Sequence, residues 1–182
     1  MHAISMLAEF GRTARIGPVG CGASLPDMAE VLGPPFVGDR VYEDRRWPRW
    51  FGYGSLQLVV CRCRLVTQVI LPVWAGKVTV PNAGTDALVS CPSDVTYSRL
   101  TAALDSSGNT GRTWSLVQDT PGQCTVEIEA DGIRTAFVFV TVEDYDEPPL
   151  ADPKLYKVVS SAFHDCPPVT PGHEDEATRP RC

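Results

Sequence analysis

The chain has 182 residues, an apolar fraction of 43% and a formal net charge of −6. That length and composition fit one domain or two small ones around a real core. No run of 18 uncharged apolar residues occurs, so no transmembrane helix is expected, and the acidic balance disfavours a general nucleic-acid binder, which needs a basic footprint.

The charge is unevenly spread. Residues 1–70 hold eight Arg/Lys against six Asp/Glu, or +2; residues 71–182 hold eight against sixteen, or −8. The opening MHAISMLAEFGRTAR has no basic stretch leading into a long apolar one, and Glu9 interrupts it early. The seven cysteines are an odd number. Together these features predict a cytoplasmic chain with reduced thiols.

In chain order, Ile4, Leu7 and Phe10 predict a short helix over residues 3–10. Gly11, Gly17, Pro18, Gly20 and Gly22 then punctuate a loop. Leu25 to Leu32 predicts a helix with Leu25, Met28 and Leu32 on one face. Pro26 suits its first turn and Gly33 its stop. Val37 to Tyr42 is expected as a strand, and Glu43 to Phe51 as a charged, aromatic loop. The dominant stretch follows, Tyr53 to Trp74. Leu56, Leu58 and Val60 alternate with Gln57, Val59 and Cys61, and a second alternating series runs from Leu65 to Val73, so the stretch predicts a hairpin. Pro72 implies that the second strand ends there or lies at an edge.

Lys77 to Val80 is expected as a short strand and residues 81–84 as a turn. Ser93 or Asp94 is expected to cap a helix over residues 95–104, with Tyr97, Leu100, Ala103 and Leu104 on its apolar side. Trp114 to Gln118 predicts a strand, and Cys124 to Glu129 another. Asp131-Gly132 is a strong hairpin turn into a long strand from Ile133 to Val142. Leu155 to Phe163 is expected as a last strand or short helix. His164 to Cys182, rich in proline and charge, is expected as a disordered tail.

The order helix, strand, hairpin occurs twice, over residues 25–74 and 94–142. The expected fold class is therefore α+β, with two similar helix-plus-antiparallel-sheet units, a duplicated α-β-β-β, sharing a core. The expected organisation is a first unit over residues 1–93, a second over 94–163 and a tail over 164–182.

Chemistry is sparsely signalled. Cys61-x-Cys63 would put both thiols on one strand face, but structural zinc sites use four ligands and commonly wider spacing. His164-Asp165-Cys166 invites a nucleophile-base reading, but adjacent strand residues point apart. No phosphate loop, GxSxG or HExxH occurs in the required context. The sequence thus predicts no metal, no cofactor and no catalytic residue. Two segments look better suited to binding. Arg45, Arg46, Trp47 and Arg49, with Trp50, Phe51 and Tyr53, combine residue types that dominate binding hot spots, and they also stack on bases. Glu143, Asp144, Tyr145, Asp146 and Glu147 place four acids around one tyrosine, suiting a basic partner.

LGPPF (Leu32 to Phe36), an arginine-rich link and YGSLQLVV (Tyr53 to Val60) together resemble small bacterial proteins, some of them similar to immunity proteins of polymorphic-toxin systems. The repeated layout also resembles tandem proteins of the β-lactamase-inhibitor type, without their secretion signal and disulfides. The absent catalytic constellation, the acidic second half and the aromatic-arginine segment lead to the expectation of a non-enzymatic chain that binds another protein, and the first resemblance implies an immunity protein that inhibits a basic toxin. The alternative is a hydrolase or transferase whose dispersed site forms no motif.

Overall fold

The computed structural model describes residues 2–44, 46–82, 87–106, 114–117, 120–142 and 148–167. Helix α1 (Ala3–Thr13) buries Ala3, Met6, Leu7 and Phe10, a stripe at helical spacing. It ends at Ala14, whose left-handed backbone lets its N–H donate to the Phe10 carbonyl. Short strands β1 (Arg15–Ile16) and β2 (Val19–Gly20) pair next. Helix α2 (Leu25–Leu32) starts where the Ser24 hydroxyl accepts from the Asp27 N–H, and stops at Gly33, which has φ 77°.

Among the described residues, eight antiparallel strands build the main sheet. They are β3 (Phe36–Arg40), β4 (Arg49–Tyr53), β5 (Leu56–Val60), β6 (Val66–Pro72), β9 (Trp114–Val117), β10 (Gln123–Ala130), β11 (Ile133–Val140) and β12 (Lys154–Ala162). A separate hairpin pairs β7 (Lys77–Pro81) with β8 (Leu88–Pro92), and helix α3 (Tyr97–Ser106) follows it. The spatial order in the sheet is β3-β4-β5-β6-β12-β11-β10-β9. Two meanders therefore run inward from opposite edges and meet where β6 pairs with β12, Leu71 opposite Val158.

Register explains the single core. Phe51, Leu58, Val69, Ser160, Thr135 and Ile128 stand opposite one another in turn across six strands, and all are buried. Period-two alternation puts their neighbours along each strand on the other face. The helices lie on the buried side. A Cβ added at Gly11 would come within 2.9 Å of Leu104, 3.0 Å of Ile128 and 3.2 Å of Phe137, so α1 sits directly against α3, β10 and β11. One apolar cluster runs from Ala3 to Val158 and joins both halves. Among the described residues no helix is long and apolar enough to cross a membrane.

The fold is α+β, with the elements near their expected places and some differences of physical interest. Residues 43–51 were expected as a loop, yet Arg49 to Tyr53 form β4, because Phe51 and Tyr53 reach the core while Trp50 and Gly52 face the other way. Neither Ser93 nor Asp94 caps α3. The Ser93 hydroxyl is buried and donates to the Val73 carbonyl; Asp152, from a distant loop, instead accepts from the Ser98 N–H and hydroxyl. Strand β8 had no alternating pattern to reveal it. Its pairing with β7 is what orders it. Pro72 closes β6 in the middle of the sheet and not at an edge.

Candidate functional site

The turn between β5 and β6 carries Cys61, Arg62, Cys63 and Arg64. The thiols expected on one strand face lie on this turn instead. The Cys61 N–H donates to the Leu65 carbonyl at 2.9 Å and the Arg64 N–H to the Cys61 carbonyl at 3.0 Å. Arg64 takes φ 63°, a left-handed turn position uncommon for a side chain of its size. The loop before α2 braces the turn from outside. The Leu25 N–H donates to the Arg64 carbonyl, Gly22 to Val66, and Val66 back to Ala23.

Topology brings a second segment here. Antiparallel neighbours put the start of β6 beside the end of β12, with Gln68 opposite Ser161. The chain leaving β12 therefore passes the β5–β6 turn. His164 to Pro167, expected as the start of a tail, are among the described residues. The Arg62 guanidinium donates to the Cys166 carbonyl at 2.8 Å.

The result is a cluster that sequence reasoning had weighed as two unrelated pairs. One ligand atom from each of Cys61, Cys63, His164 and Cys166 lies within 4.8 Å of all the others. Cys61 is buried and the other three are half-buried. The His164 Nε2 is shut off from solvent and has no hydrogen-bond partner among the described residues. Burial pushes the Cys61 thiol up, and pushes Cys63 up to about 11, reinforced in both by the neighbouring Cys166 sulfur. Burial acts the same way on Cys166, but thiol hydrogen bonds from Cys63 and Cys61, a Cys63 backbone bond and Arg62 outweigh it and hold Cys166 below the usual thiol range. Such convergence suits metal ligation or thiol-disulfide exchange.

The expected binding segments divide. Arg45 and Glu143, Asp144, Tyr145, Asp146 and Glu147 lie outside the described residues. Arg46 is exposed, while Trp47 packs partly against the core. The Trp47 ring stacks near Phe51, centroids 6.4 Å apart, and the Arg64 guanidinium lies 5.3 Å from the Trp47 centroid. Arg49 donates to the Gly38 carbonyl at 3.3 Å, tying β4 to β3. The Tyr53 hydroxyl donates to the Gly33 carbonyl at 3.0 Å. Half of this arginine-aromatic segment is therefore structural. What sequence reasoning missed is its outer neighbour. On edge strand β3, Phe36 is 77% exposed and Val37 53% exposed. Phe36, Trp50 and Phe51 line a cavity of about 350 Å³ there. A second cavity of about 520 Å³, lined by Trp74, Asp94, Lys154 and Tyr156 among others, opens at the other end of β12.

Comparison with protein-family models, curated proteins and solved structures finds no match to this chain.

Proposed function

We propose that this chain is a non-enzymatic binding protein that takes a partner polypeptide along strand β3. The observation that carries the reading is the exposure of Phe36 and Val37, on opposite faces of a strand at the end of the sheet. A strand with one unpaired edge is a template for strand addition, and exposed aromatic side chains beside a cavity supply anchors. The product of the adjacent gene is the first partner to test. On binding, the β3 amides should gain protection from exchange, and Phe36→Asp with Val37→Asp should weaken the complex by at least ten-fold. An unchanged affinity in that double variant sinks the reading.

An immunity-type role, holding a basic toxin through Glu143 to Glu147, is favoured by the −8 charge of residues 71–182. Its signature is kinetic. Asp144→Lys with Asp146→Lys should slow association at low salt far more than it speeds dissociation. Tyr145→Ala should raise the off-rate instead. If neither variant changes the rates, that segment plays no part in binding.

The same reading includes an origin by duplication. Among the described residues, α2 leads into four strands of the main sheet and α3 into the other four, and both sets enter the sheet from its edges toward the middle. Superposing residues 25–74 on 94–142 should align helix with helix and hairpin with hairpin. A helix on the opposite side of its meander would refute duplication.

A further inference from the structure

We propose that Cys61, Cys63, His164 and Cys166 form a structural zinc site that fastens the chain leaving β12 to the β5–β6 turn.

Four observations converge. The donor set is three sulfurs and one imidazole, the soft-to-borderline set that suits zinc and does not suit magnesium or calcium, which take oxygen ligands. The count is four, as a closed tetrahedral site requires. The spacing is close to what the ion demands. A zinc–sulfur bond of about 2.3 Å sets sulfur–sulfur edges of about 3.8 Å in a tetrahedron, so donor atoms within 4.8 Å of one another need to close by about an ångström. Last, the His164 Nε2 is buried and unpartnered. A buried nitrogen without a hydrogen bond is costly, and a metal bond satisfies it.

The surroundings fit the charge. Zinc with three thiolates and a neutral imidazole carries one net negative charge. Arg62 is hydrogen-bonded to the Cys166 carbonyl, and Arg64 occupies the same turn. Each thiol that joins the ion gives its proton to solvent, so no oxidant or reductant takes part. The turn is already held by the Cys61–Leu65 and Leu25–Arg64 backbone bonds, so two of the four ligands are pre-positioned.

The site has a structural role and not a catalytic one. All four positions are taken by protein, which leaves none for water or substrate. Its two pairs of ligands come from either side of the β6–β12 seam, so the ion would clamp the two meanders where they meet.

The test is metal analysis of the full chain purified without chelator, with free thiols counted in parallel. The expected result is one zinc per chain. Cys63→Ser, His164→Ala and Cys166→Ser should each abolish it, and Cys91→Ser, a buried cysteine outside the cluster, should keep it. Because a ligand variant can fail to fold, the wild-type chain is also loaded with cobalt(II) in place of zinc. Intense visible bands of a tetrahedral thiolate site, with sulfur-to-cobalt charge transfer, support the proposal. Weak octahedral bands overturn it. So does iron, copper or no metal in the purified chain, an unchanged zinc content in folded His164→Ala, or a Cys63–Cys166 disulfide found by mass spectrometry in freshly purified protein.

Discussion

At one corner of the main sheet Asp131 and Gly132 close β10 onto β11, with φ of 54° and 72°; at another, residues 61–65 close β5 onto β6. The first corner is a two-residue turn whose backbone its own residues suit. Asp and Gly tolerate the left-handed backbone, and the resulting twist matches that of the strands. The second is held from elsewhere. Backbone bonds come from Leu25, Gly22 and Ala23, a guanidinium contact runs to Cys166, and two candidate ligands lie about a hundred residues downstream. A turn that satisfies itself connects strands. One that needs distant chain segments to complete it is where a structural site can be built.

The comparison predicts that both hairpins feed one core, so equal damage in either should unfold both. Phe137→Ala in β11 should cost about 3–5 kcal/mol and Leu58→Ala in β5 about 2–5 kcal/mol, since both side chains are fully buried. Chemical denaturation followed by tryptophan fluorescence and by far-ultraviolet dichroism should give coincident transitions. Separate transitions for the halves would show two cores.

A medium effect separates the corners. Gly132→Val forces a β-branched residue to a φ near 72° and should cost about 1–2 kcal/mol, read as a lower melting temperature. Chelator should not change that penalty. By contrast, chelator should speed amide exchange at residues 61–66 and 164–167 while leaving residues 129–134 unchanged. Equal loss of protection at both corners would erase the distinction.

The smallest expected effect concerns Asp152, which holds α3 from a distance as Leu25 and Cys166 hold the β5–β6 turn. Partial burial works against its ionisation, but hydrogen bonds from the Ser98 hydroxyl and N–H and the charge of Arg99 outweigh it and set its carboxyl below the ordinary value of 3.8. A depressed carboxylate contributes stability above its unfolded value and loses it as pH falls through the folded one. Asp152→Ala should therefore cost about 1 kcal/mol at neutral pH, the usual worth of a helix N-terminal cap. The gap from wild type should close as the medium is acidified below the ordinary carboxylate range. A gap that persists in strong acid would assign the loss to packing.

Local chemistry was legible in the sequence. The bounds of α2, the alternation of Leu56, Leu58 and Val60, and the Asp131-Gly132 turn depend on neighbours within a few residues, and the structure places them where expected. What failed to show was long-range. Asp152 replaces the expected cap of α3 because a helix N-terminus accepts any oxygen that the fold delivers. Strand β4 reads as a loop because Arg49 and Trp50, following the arginines and tryptophan just before them, mask the inward alternation of Phe51 and Tyr53. Cys61-x-Cys63 and His164-x-Cys166 each lack half a coordination shell. Only the β6–β12 pairing, between strands with the whole second meander intervening, shows that they belong together.

That pairing also shapes how the chain emerges during synthesis. Residues 66–72 leave the ribosome with their β5 partner already made, but with the other edge bare until residues 154–162 follow. For that interval the nascent chain presents Val69 and Leu71 on a strand whose outer hydrogen-bonding groups are free, a template for intermolecular pairing. Closing so long a loop is slow, because its entropy must be lost before the contact returns anything. Nascent chains stalled before residue 154 should therefore recruit holdase chaperones and aggregate when these are depleted, and chains stalled after β12 has cleared the exit tunnel should not.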